Sequence, residues 1–73
     1  MSELQDLVRM ANQIADFFEA YPHEEAVAGV AGPIRDIWTY RMRDELSAHI
    51  ATGGEGLKPL AVEAFRSLTP ETA

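Results

Sequence analysis

Residues Leu4 to Tyr21 read LQDLVRMANQIADFFEAY, and their periodicity decides the fold. Apolar side chains fall at Leu4, Leu7, Val8, Ala11, Ile14, Ala15 and Phe18. Successive helical residues are rotated by about 100°, so this spacing keeps them on one face of a helix. Met10 and Phe17 form a second apolar row on the flank of that face. Together the two rows cover roughly half the circumference, wider than the ~100° stripe of an ordinary surface helix. Such a helix needs cover on more than one side.

Little chain is available to supply that cover. At 73 residues it is one domain, and a domain of this size buries only about 60–65% of its unfolded surface. Small domains are often reinforced by disulfides, a metal or a partner. Cysteine is absent, so disulfides and thiolate chemistry are excluded, and two histidines alone do not make a structural zinc site. Tight helix packing or a partner subunit remains.

The net charge is −6, from twelve Asp and Glu against six Lys and Arg. Nucleic-acid binding displaces counterions with protein cations, so an acidic chain is a poor candidate for it. The same electrostatics weigh against anionic membrane surfaces. No apolar run approaches the ~20 residues of a membrane span. The start, MSELQDL, lacks the basic residues and apolar core of a signal peptide. The expectation is a soluble cytoplasmic protein that binds neither nucleic acid nor membrane.

Working outward, the spacing predicts a first helix over about 3–20. Ser2 with Gln5 fits a capping box, and Glu3 and Asp6 suit the positive helix start. Tyr21-Pro22 stops it, because proline disfavours helical geometry in the residue before it. A second helix is expected over about 24–38, with Ala26, Val27, Val30, Ala31, Ile34, Ile37 and Trp38 at helical spacing. Gly32-Pro33 interrupts it, and an interior proline loses a hydrogen bond and meets the carbonyl of Gly29, so a kink or restart is expected. Thr39 is the expected cap of a third helix over 40–51, with Met42, Leu46 and Ile50 inward and His49 beside them. Gly53 is expected to end it in a left-handed cap. Gly53-Gly54-Glu55-Gly56 reads as a turn. A phosphate cradle is the weaker reading, since no Lys-Ser or Lys-Thr follows and Glu55 would repel phosphate. Pro59 opens a fourth helix over 59–68, with Leu60, Ala61, Ala64, Phe65 and Leu68 inward, stopped by Thr69-Pro70 ahead of a frayed end. No alternating run and no Asn-Gly or Asp-Gly hairpin signals a strand. The fold class is all-α, a small bundle of about four short helices.

Candidate chemistry is sparse. His23 is expected on the surface and His49 as a packed edge residue. The carboxylates are spread along helix surfaces, and no nucleophile, base and orienting acid can be assembled. No catalytic, cofactor-binding or metal-ligating residue is assigned. Three features stand apart as partner-binding candidates. Met10 and Phe17 flank the first helix, with a core wrapped around that helix as the plainer explanation. Trp38, the single tryptophan, fits an interface hot spot or a core centre equally well. Arg41 and Arg43 fall in the first turn of the third helix, where positive charge opposes the dipole. They suit bidentate pairing with a partner's carboxylates, or local pairing with Asp36, Asp44 or Glu45. Asn12 and Gln13 either bond backbone at the helix edges or face water.

The run RMANQIADFF, then W-x-x-R-M-R from Trp38 to Arg43, then GGEGL-x-P-L from Gly53 to Leu60, resembles one small family. It is the delta subunit of the soluble NAD-dependent, molybdenum-containing formate dehydrogenase, and the resemblance covers roughly Asp6 to Leu68. It implies a helical, cofactor-free, non-catalytic accessory subunit that stabilises or helps assemble the complex. Its partners would be the catalytic and other large subunits, which carry the molybdenum cofactor, iron–sulfur clusters, FMN and the NAD site. The alternatives are a maturation chaperone for the catalytic subunit and a stand-alone helical regulator acting as a homodimer. Tyr40 stands where the family pattern has proline, Gly32-Pro33 replaces more ordinary helical residues, and Lys58 precedes Pro59 where Ser or Asp would cap better.

Overall fold

The computed structural model describes residues 3–68. The Ser2 capping box and the Thr69-Pro70 stop with its frayed end lie outside the described residues. Four helices follow in order: α1 Glu3–Phe18, α2 His23–Ile37, α3 Tyr40–Ala51 and α4 Pro59–Leu68. The fold is all-α, with no strand among the described residues. No helix among them is long and apolar enough to cross a membrane.

α1 stops two residues short of the expected boundary. The Glu19 N–H reaches back to the Asp16 carbonyl at 3.4 Å and the Tyr21 N–H to Phe18 at 3.0 Å. These three-residue steps tighten the chain into a turn before Pro22, as at many helix ends. α2 then starts directly behind Pro22, whose carbonyl accepts from the Ala26 N–H at 2.8 Å.

α2 runs through Pro33 without a restart. Ala26, Val30, Ile34 and Trp38 recur every four residues across the proline, and all are buried. A restart would rotate Ile34 out of line with Val30, so core packing holds the helix in register at the expense of one hydrogen bond. α3 begins where Thr39 Oγ1 accepts the Met42 N–H at 3.2 Å. It ends at Gly53, φ +123°. There the Gly54 N–H donates to the His49 carbonyl at 2.9 Å and the Gly53 N–H to Ile50 at 3.0 Å, the Schellman pattern that satisfies two terminal carbonyls.

The core lies around α2 rather than around α1. Ile34, Leu46 and Val30 are the largest fully buried side chains, whereas α1 contributes Leu7 and two alanines, Ala11 and Ala15, to the buried core. Leu4, Val8, Ile14 and Phe18 are only partly covered. Ala61, Ala64 and Phe65 close the core from α4. Small residues at the helix crossings let the backbones approach closely, which is how so short a chain assembles a core at all.

Candidate docking surface

The flank of α1 is exposed. Phe17 keeps 69% of its surface and Met10 37%, so the remaining helices do not wrap around this side. Between them, Gln13, Ile14, Phe18 and Pro33 of α2 line an open, mostly apolar groove of about 420 Å³. Phe18 forms its floor: it packs against the core and over Gly29, where an added Cβ would stand 2.5 Å from the ring. Glycine at this point is what lets α1 and α2 come close enough to leave a groove rather than a gap.

A run of aromatic rings leads out of the groove. Phe17 meets Phe18 edge-on at 4.9 Å, and Phe18 meets Tyr21 at 5.3 Å. Tyr21 in turn lines a second cleft of about 440 Å³, together with Glu19, His23, Leu60 and Glu63. His23 Nε2 and Glu63 Oε2 lie 2.7 Å apart, joining the start of α2 to α4 with both side chains largely solvent-exposed. The Lys58 ammonium pairs with Asp16 at 2.6 Å and lies 3.6 Å from Glu19. The hydrogen bond to Asp16, then the charges of Asp16 and Glu19, hold this ammonium above its ordinary value.

Trp38 is not part of this surface. It is 6% exposed and its ring packs against Phe65 at 6.1 Å. Of the two readings of Trp38, hot spot and core centre, its burial within this chain matches the core centre. As the residue that ends α2, Trp38 has an extended backbone, φ −69°, ψ 141°, and its ring is turned into the core. The two arginines part company. Arg41 is largely exposed, and its guanidinium lies 3.7 Å from Glu3 of α1 rather than beside the local carboxylates. Arg43 is half-buried, with its Nε enclosed and unbonded. The groove thus brings Met10 and Phe17 together and leaves Trp38, Arg41 and Arg43 outside it.

Two exposed apolar residues were not anticipated. Ile37 at 76% and Tyr40 at 77% exposure flank the buried Trp38. Ile37 fits the apolar row of α2 on periodicity, but it lies one turn beyond Pro33 on the groove side, at the end of the helix. The spacing of four from Pro33 was the available signal.

The glycine turn is a clamp. Asn12 of α1 donates to the Gly56 carbonyl at 2.8 Å and accepts the Lys58 N–H at 2.9 Å. His49 Nε2 bonds the Glu55 carbonyl at 2.8 Å; a carbonyl only accepts, so this nitrogen carries the hydrogen. The Gly53 and Gly54 N–H groups already serve the end of α3, so they are not presented to a phosphate. Both histidines therefore hold helices and loops in place. No group of three or more His, Cys, Asp or Glu among the described residues is placed to hold a metal ion. What the site offers is shape and apolar area beside acidic charge, which suits binding a protein.

No match was found among curated proteins or solved structures. A family model does match, over residues 6–65, and that span takes in the α1 flank, the α2–α3 corner and the clamped glycine turn. On that match the chain belongs to the family of the NADH-dependent formate dehydrogenase delta subunit FdsD.

Proposed function

We propose that the chain is a non-catalytic accessory subunit of an NAD-dependent, molybdenum-containing formate dehydrogenase in the cytoplasm. It stabilises or helps assemble the complex by docking on the catalytic or another large subunit. Family membership across residues 6–65 carries the reading. The exposed Phe17 supports it. Leaving a large aromatic in water forgoes about 25 cal/mol for each Å² that could be buried, and a thin core gives a partner surface a stabilising role. The contact uses Met10 and Phe17 in the groove, with Arg41 and Arg43 on the neighbouring α2–α3 corner. Trp38 contributes by fixing that corner from inside.

Co-purification tests this. A tagged chain expressed in cells that make the enzyme should retain the large subunits through washing and gel filtration. Replacing Arg41 with Ala should loosen that hold while leaving helicity intact. A chain that elutes by itself would sink the proposal.

A further inference from the structure

We propose that the groove and the acidic cleft form one docking track, whose occupant is a basic amphipathic segment of a larger subunit. This rests on the accessory-subunit reading above and adds the chemistry of the partner. Residues 10–34 supply most of the walls of both depressions, and they hold four carboxylates, Asp16, Glu19, Glu24 and Glu25, with no Lys or Arg. The Phe17, Phe18 and Tyr21 rings run unbroken from the apolar groove to the cleft. In the cleft Glu19 and Glu63 stand beside His23 and Tyr21. On α2, the exposed Glu25 lies in the same four-residue row as Gly29 and Pro33. Lys58 is already paired with Asp16 and Glu19, and Arg9 and Arg35, which bound this stretch, are paired with Asp6 and Asp36.

An occupant that matches has apolar side chains for the groove and a Lys or Arg one or two turns away for the cleft. A helix laid in a groove presents such anchors at spacings of three and four. A second copy of this chain is the poorer fit. The same face would meet itself in a two-fold dimer, setting one carboxylate set against another on chains of net charge −6. Like charges brought together oppose association.

The test uses the whole complex. A photo-reactive phenylalanine analogue is placed at position 17, and at Ala48 on α3 as a contrast. Cross-links from position 17 should map to a segment of a large subunit rich in Lys or Arg and apolar residues, and those from position 48 should not. Phe17→Ala, and separately the pair Glu19→Lys with Glu63→Lys, should each weaken assembly by about tenfold or more. The wild-type complex should also loosen as salt rises. Helical circular dichroism of each variant confirms that the chain still folds. Cross-links to a second copy or to an acidic segment would overturn the inference, as would variants that assemble like wild type. Each of those results leaves the accessory-subunit reading standing. Failure of the wild-type chain to join the complex overturns that reading and the track together.

Discussion

Phe18 lies across Gly29 so closely that a methyl group at position 29 would sit 2.5 Å from its ring. The contact sets the α1–α2 distance and the floor of the groove. Gly29→Ala would gain about 1 kcal/mol of helix propensity. It would cost about 1–3 kcal/mol in forced repacking. We expect net destabilisation, read as a lower urea midpoint, together with a perturbed groove. A midpoint at or above wild type would show that the ring swings aside freely.

Asn12 ties α1 to the glycine turn through two hydrogen bonds. Net contributions are about 1 kcal/mol each, so Asn12→Ala should lose about 2 kcal/mol in denaturant unfolding. Asn12→Asp keeps the acceptor for the Lys58 N–H and loses the donor to Gly56, and should fall between the two. If both variants unfold at the wild-type midpoint, the clamp is not stabilising.

Core and docking residues should separate cleanly. Phe65 is buried against Trp38, and Phe65→Ala should cost about 3–5 kcal/mol, enough to unfold much of so small a domain. Phe17→Ala removes a ring that is mostly in water and should change stability by less than about 0.5 kcal/mol. Thermal melts of the two variants give the comparison; a large loss for Phe17→Ala would place that ring in the core.

Lys58 gives a pH signature. Its ammonium is held above the ordinary 10.5 by Asp16 and Glu19, so the folded chain binds this proton more tightly than the unfolded chain. That stabilisation is fully present below about pH 10.5 and is lost as pH rises through the folded-state value. The stability gap between wild type and Lys58→Gln should therefore hold from neutral pH to about 10 and narrow above 10.5. Urea unfolding at pH 8 and at pH 11 measures it; a gap unchanged between them would mean that the ion pairs are not felt.

The helices were legible because short-range rules governed their ends. Thr39 caps α3, Gly53 closes it and Pro59 opens α4, each by backbone chemistry that a few residues determine. The flank at Met10 and Phe17 was legible too, as apolar area beyond what one face needs. Long-range geometry was not. Whether Trp38 points in or out depends on Phe65, which is far along the chain. The role of Asn12 depends on carbonyl and amide groups 44 and 46 residues away. Local strain at Pro33 allows a kink or a restart, and the register of Ala26, Val30, Ile34 and Trp38, which carries α2 through it without a restart, is not a local property.

The accessory-subunit account is tested most directly by native mass spectrometry of active formate dehydrogenase, purified through a tag on its catalytic subunit. The account predicts this chain in the active complex at a fixed ratio to the catalytic subunit, and loss of enzyme integrity when the chain is deleted. Active enzyme without the chain, or the chain bound solely to enzyme lacking its cofactors, would contradict it.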